Sequence, residues 1–156
     1  MDLYLRHGPA LVRKARRLLS NDADAQDIVH ALFLDLLAAE NHQVDLPYLY
    51  RAVTNRCLTY LRDQSNRSRL LEREQTALRG VVRTRCDDEA IGLDLVGKVL
   101  AELGQRESEL LVYRYFDDLS QEEIAELLGV SRKTIGKLLK DVQSVVRRVR
   151  GAGDTP

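Results

Sequence analysis

Residues 120 to 150, SQEEIAELLGVSRKTIGKLLKDVQSVVRRVR, constrain this chain more than any other stretch. Ser120 stands three residues before Glu123, the pair that satisfies orphan amides at a helix start. Ile124, Ala125 and Leu128 then form an apolar stripe. Gly129 ends the helix, because glycine takes the left-handed conformation without strain. Only Val130 intervenes before Ser131, which can cap a second helix. That helix carries Ile135, Leu138, Leu139, Val142, Val145, Val146 and Val149, spaced as one helical face. Two helices joined by a short Gly-containing turn are a helix-turn-helix. Small Ala125 lets them cross closely, and Val130 can plug the angle between them.

Charge distinguishes the two helices. From Gly129 to Arg150, seven Lys/Arg (Arg132, Lys133, Lys137, Lys140, Arg147, Arg148, Arg150) face only Asp141. From Glu102 to Glu126 the balance reverses, with eight Asp/Glu against Arg106 and Arg114. A basic second helix beside an acidic first one suits a helix that reads DNA while its neighbour faces away from phosphate. A basic helix can also be no more than a solvated face. Here capping, turn and apolar spacing agree independently, and they favour DNA binding.

At 156 residues the chain can hold one medium domain or two small ones. Its formal charge is zero, with 24 Lys+Arg and 24 Asp+Glu, so DNA binding must rest on local patches. Cys57 and Cys86 lie too far apart for a CxxC pair and offer no zinc spacing, which fits a reduced cytoplasmic protein. No ligand pattern surrounds His7, His30 or His42, so no metal and no cofactor is expected. No apolar run approaches transmembrane length, and Met1 leads straight into charged helix; neither membrane contact nor a signal peptide is expected. Nothing resembles a phosphate loop or a nucleophile elbow, so the chain is not expected to be an enzyme.

The remaining segments are also helical. Residues 3–20 carry Leu11, Val12, Ala15, Leu18 and Leu19 on one face, with Pro9 near a start and Arg6, Arg13, Lys14, Arg16 and Arg17 on a basic opposite face. Asp22 or Asp24 can cap the next helix, about 24–39. It buries Ala25, Ile28, Val29, Leu32, Phe33, Leu36 and Leu37, and shows Asp27, His30, Ala31, Leu34 and Asp35. No Lys or Arg lies between Arg17 and Arg51, where Asp22, Asp24, Asp27, Asp35, Glu40 and Asp45 stand unopposed. Such a face can be merely solvated, but Leu34 exposed among acids suggests a protein partner.

A polar loop from Ala39 to Leu46 precedes Pro47, placed where a helix start tolerates proline. Leu49, Ala52, Val53, Cys57, Tyr60 and Leu61 then form one apolar face. Six Arg between 51 and 73 oppose Asp63 and Glu72, with Tyr48, Tyr50 and Tyr60 interleaved. Basic residues among aromatics suit a single-stranded nucleic-acid surface. The tyrosines can instead be core, and for Tyr60 core is the preferred reading. Periodicity fades from Thr76 to Leu93. The reading is therefore all-α: a helical domain 1–75, a linker 76–93, and a second domain 94–152 containing the helix-turn-helix. Within the latter, helices 94–103 and about 106–116 (Leu110, Leu111, Tyr113, Tyr115, Phe116) come first, and GAGDTP is a disordered end.

In this order the pieces resemble a minimal bacterial RNA polymerase sigma factor of the extracytoplasmic-function group, over nearly the whole chain. DADAQDIVHALFLDLL is similar to the family's helix for the clamp helices of the polymerase β′ subunit. LPYLYRAVTNRCLTYLR resembles its promoter-melting and −10-reading segment. RESELLVYRYFDDLSQEEIAELLGVSRKTI resembles its −35-reading domain, which also meets the β flap. The resemblance implies core-polymerase contacts at Asp24, Asp27, His30, Leu34 and Asp35, with Phe33 packing inside. It implies −10 DNA contacts at Asn41, His42 and Gln43 in the specificity loop, and at Tyr48, Arg51, Asn55, Arg56 and Arg62. It implies −35 contacts at Ser131, Arg132, Lys133, Thr134, Lys137 and Lys140. The implied partners are core RNA polymerase, promoter DNA both duplex and single-stranded, and an anti-sigma factor.

The sequence also departs from the family's pattern. His30-Ala31 stands where Gln-Glu is frequent, Tyr48 replaces a common Trp, and Thr59 a frequent Asp. Gly136-Lys137-Leu138 replaces a usual Lys-Ser-Arg run, removing one expected phosphate-binding Arg. A stand-alone helix-turn-helix regulator is the competing reading. It predicts dimeric binding to a palindromic duplex without polymerase. An adaptor that never opens DNA is a further alternative, against which the basic face from Arg51 to Arg69 argues.

Overall fold

The computed structural model describes residues 2–41, 43–78 and 88–153. Every element among them is helical. Helices α1 (Asp2–Leu19), α2 (Asp22–Ala38) and α3 (Leu46–Leu78) pack on one another as a first unit. Helix α4 (Asp88–Glu102), α5 (Gln105–Leu111), a π-helical turn (Val112–Phe116), α6 (Gln121–Leu128) and α7 (Arg132–Gly153) form a second.

The first unit is held by apolar stripes that meet along three helices. Leu11, Ala15, Leu18 and Leu19 of α1 are buried with Ala25, Val29, Leu32, Phe33 and Leu36 of α2 and Leu49, Val53, Cys57, Leu58 and Leu61 of α3. Burying a Leu or Val side chain contributes about 1.5–3 kcal/mol, so this stripe decides which face of each helix points inward. Neither Asp22 nor Asp24 caps α2. Asn21 does, its Oδ1 accepting from the amides of Ala23 at 2.9 Å and Asp24 at 3.2 Å. Both aspartates fall inside the first turn, where a negative charge still favours the amide end of the helix. Asp45 opens α3 by accepting from the Tyr48 amide at 2.9 Å, with Pro47 at the second helical position. Pro9 lies in the interior of α1 rather than at a start.

The helix-turn-helix follows the local chemistry of its sequence. Ser120 and Glu123 close a full capping box, Oγ to the Glu123 amide at 3.1 Å and the carboxylate to the Ser120 amide at 2.7 Å. Gly129 sits at φ 66°, a left-handed conformation that a side chain would strain. Ser131 Oγ accepts from the Thr134 amide at 3.1 Å to start α7. Ile124, Ala125, Ile135, Leu139, Val142 and Val149 are buried between α6, α7 and the preceding elements.

Several boundaries differ from the sequence expectation. Helix α3 runs to Leu78 and α4 begins at Asp88, so both ends of the expected linker are helical. Helix α7 continues to Gly153, through the first half of the expected disordered end. The segment expected as one helix over 106–116 changes hydrogen bonding at Val112, and the Asp117 amide bonds to Val112 O, five residues back, at 3.1 Å. Tyr115, expected on its apolar face, is exposed.

The two units touch along α3. Buried Gly97 of α4 lies against Ser65, where an added Cβ would come 2.7 Å from the Ser65 Cβ. Real Cβ atoms do not approach that closely, so the helices can cross here only because residue 97 lacks one.

Candidate nucleic-acid interface

The expected contact residues fall on three surfaces. On α2, Asp27, His30, Leu34 and Asp35 are exposed, Leu34 at 64%. Phe33 is buried at 7%, as expected. Leu37, expected inside, is 52% exposed and lengthens the apolar part of this outer face. It does so because Leu36 already fills the inward position at that turn. His30 Nε2 lies 2.6 Å from Tyr4 Oη, an α1 side chain whose ring also meets Phe33 edge-on. Asp24 is half-buried and accepts from Tyr60 Oη at 2.6 Å, a bond that, with burial, raises the Tyr60 hydroxyl's pKa. Tyr60 therefore braces α2 against α3 from a half-buried position at the edge of the core, not from within it as expected.

A groove of about 470 Å³ between α2 and α3 joins two of the predicted sets. Asp24 and Asp27 line one side, Asn55 and Arg56 the other. Arg56 is tied across to Asp35 at 2.5 Å. Asn41, Gln43 and Tyr48 are exposed at the loop that leads into α3, Tyr48 at 49%. His42 lies outside the described residues. On α7, Ser131, Arg132, Lys133, Lys137 and Lys140 are exposed and Thr134 half-buried, along one side of the helix opposite its apolar stripe. Arg132 reaches back to Glu122 of α6 at 2.7 Å.

Arg51, Asn55 and Arg62 do not stand free. Gln105 Nε2 donates to Asn55 Oδ1 at 2.8 Å, and Arg62 donates to Gln105 Oε1 at 3.0 Å and Ser108 Oγ at 2.7 Å. Arg51 lies 3.5 Å from the buried Glu109 carboxylate. All three strand-side candidates on this face of α3 are thus engaged by α5.

Deeper in the same contact is a charge cluster built around Lys14, a residue expected on the basic outer face of α1. Lys14 is 1% exposed, not outward-facing. It stands three residues after Leu11 and four before Leu18, so it shares their inward stripe, and that spacing is the signal which could have located it. Its ammonium pairs with Asp117 at 2.5 Å and lies 3.8 Å above the Tyr50 ring centroid. Arg17 reaches the other Asp117 oxygen at 3.2 Å. Tyr50 in turn stacks on Tyr113, with centroids 5.8 Å apart. Burial pushes the Lys14 pKa down, while Asp117 opposes the shift by favouring the charged form. Burial raises the pKa of both tyrosines, leaving their rings neutral platforms for the cation. Tyr50 is accordingly unavailable to stack on a base, and Tyr48 is the exposed aromatic of the segment.

Among the described residues no group of His, Cys, Asp and Glu is arranged to hold a metal ion. No described helix is long and apolar enough to cross a membrane. Cys57 is buried, with its thiol pushed up to about 12 by the loss of water around it. Cys86 lies outside the described residues.

Two family models match the chain, Sigma-70 region 2 over residues 3–67 and Sigma-70, region 4 over residues 93–141. The RNA polymerase sigma factor CarQ of Myxococcus xanthus is 27% identical over 134 residues, spanning 83% of this chain and 76% of that protein. The RNA polymerase sigma-F factor of Kitasatospora aureofaciens is 41% identical over 46 residues, 30% of this chain and 16% of that protein. In fold, the chain is similar to the sigma factor RpoE of Bartonella quintana in its co-crystal structure with the anti-sigma factor NepR. The TM-score is 0.50 at 18% identity, over 96% of this chain and 95% of that one. The region 2 match falls within the α1–α3 unit and the region 4 match within the helix-turn-helix unit. The chain belongs to the sigma-70 family of bacterial RNA polymerase sigma factors, in the two-region form of its extracytoplasmic-function group, and directs promoter-specific transcription.

Proposed function

We propose that this sigma factor docks on the β′ clamp helices of core polymerase through the outer face of α2, with the α5–α7 unit meeting the β flap. It then reads −35 duplex with the start of α7 and holds unpaired −10 bases at the loop before α3 and on α3 itself. The observation that carries the docking step is Leu34, 64% exposed and flanked by Asp27 and Asp35. An apolar side chain held out of the core and ringed by acids suits a mixed apolar and basic partner. The chain performs no chemistry of its own. Its contribution is binding energy: each stacked base adds about 1–3 kcal/mol, comparable with the cost of opening a base step.

Gel filtration with sigma-free core polymerase tests the docking face. The chain co-elutes with core, and an Asp27→Arg, Leu34→Glu double variant does not. Retained co-elution in the variant would move docking off α2. On the duplex side, Arg132 must leave Glu122 to reach a base edge. Arg132→Ala should then cost about 1–3 kcal/mol and relax preference at one −35 position. Unchanged −35 selectivity would remove Arg132 from the reading set.

A further inference from the structure

His30 stands in the middle of the exposed row on α2, one turn after Asp27 and one turn before Leu34. Its ring is tied to α1. Nε2 lies 2.6 Å from Tyr4 Oη, and the two rings meet at 43° with centroids 5.4 Å apart. Tyr4 is held in turn on two sides. Its ring meets Phe33 of α2 edge-on, at 89° and 5.0 Å between centroids. It also lies close over buried Gly8, where a Cβ would come 3.0 Å from Tyr4 Cδ2 and Cε2. Few real Cβ atoms pack so tightly, so the bare residue at position 8 lets the ring settle where its hydroxyl meets His30.

Chemistry sets the direction of this hydrogen bond. A phenol is a much stronger acid than a neutral imidazole N–H, and an imidazole nitrogen is the better base. The Tyr4 hydroxyl therefore donates and Nε2 accepts. A neutral imidazole carries one ring proton, which then sits on Nδ1 and makes that nitrogen a donor. Of Asp27, His30, Leu34 and Asp35 along the row, only His30 then has a proton to donate, since the carboxylates accept and Leu34 is apolar. We propose that Tyr4 is a positioning residue for polymerase docking, fixing His30 in one orientation and in its Nδ1–H form so that α2 offers one N–H donor to an acceptor on the polymerase. The inference rests on the assignment of α2 as the docking helix. It also gives the face a means of discrimination, because a surface with only donors at that point would meet His30 donor to donor.

Nitrogen-15 long-range correlation spectra of the full chain distinguish the two neutral tautomers. His30 should show Nδ1–H in the unchanged chain and a mixture in Tyr4→Phe, which keeps the ring on Phe33 and removes only the hydroxyl. Docking is measured by interferometry, with the chain immobilised and sigma-free core polymerase titrated over it. Tyr4→Phe should bind about fivefold more weakly, as when the competent orientation falls to about a fifth of the population. In a His30→Ala background the same substitution should cause no further loss. Undiminished docking by Tyr4→Phe, an equal loss with and without His30, or an Nε2–H tautomer in the unchanged chain would overturn the proposal. The Asp27→Arg, Leu34→Glu variant reports on the face itself. Docking retained there would refute the assignment of α2 and the proposal with it. Docking lost there but untouched by Tyr4→Phe would refute the positioning role alone.

Discussion

The side chains of Lys14 and Asp117 are each 1% exposed and sit 103 positions apart in the chain. Taking two charges out of water costs more than their attraction commonly returns, so the pair is not simply a source of stability. Removing one partner is costly because the other is left uncompensated, and the two directions are unequal here. Asp117→Ala strands the Lys14 ammonium among rings and methyl groups, with a cost of about 3–5 kcal/mol. Lys14→Met keeps the aliphatic stem, and Asp117 keeps Arg17. Urea denaturation should therefore rank Asp117→Ala well below Lys14→Met, with the double variant recovering part of the loss. Equal destabilisation by the two single variants would contradict the pairing. Cys57 illustrates the same low-dielectric interior. With its thiol pushed up to about 12, it carries almost no thiolate at neutral pH. Iodoacetamide should leave Cys57 unmodified in the native chain and label it in urea, as read by mass spectrometry of its peptide. Native labelling would mean that the inner face of α3 opens readily.

At the scale of elements, the helix-turn-helix was legible almost atom by atom, because a capping box, a left-handed glycine and an apolar stripe are local signals. Ser120→Ala should cost about 1 kcal/mol through the lost cap, with the loss read from the thermal midpoint. Gly136 gives the opposite case. An added Cβ meets nothing within 4 Å, and the residue is inside α7 with ordinary helical backbone. Gly136→Ala should raise stability by up to about 1 kcal/mol in the same melts. No gain would imply that the glycine's freedom is used in some bound form of α7. Elements without such local marks were harder to delimit. The cap of α2 was placed one or more residues late because Asn21, Asp22 and Asp24 are all good caps, and only backbone geometry chooses Asn21. The π turn has no composition of its own, so the register change that brings Asp117 onto Lys14 left no trace in the periodicity.

For the whole molecule, a neutral total hides a division of charge in which acids gather on α2, α5 and α6 and bases on α1, α3 and α7. That division was readable from the sequence, as were the two units and the exposure of most candidate residues on α2 and α7. What could not be read was that the acidic α5 lies on the basic α3, since nothing local records a pairing between segments some fifty positions apart. The consequence concerns stability. Units of this size are marginal, so the face they share is expected to add to the stability of each. Hydrogen exchange measures that contribution. In the intact chain, amides of α1 around Leu11–Leu19 and those of the π turn should be protected together, because Lys14, Arg17, Tyr50, Tyr113 and Asp117 join them. In Asp117→Ala both segments should lose protection by a similar factor, while α6 and the first half of α7, held by Ile124, Ile135 and Leu139, keep theirs. Loss confined to the residues next to 117 would show that the shared face contributes nothing to region 2. Loss spreading evenly over α1 to α7 would show that the two units unfold as one.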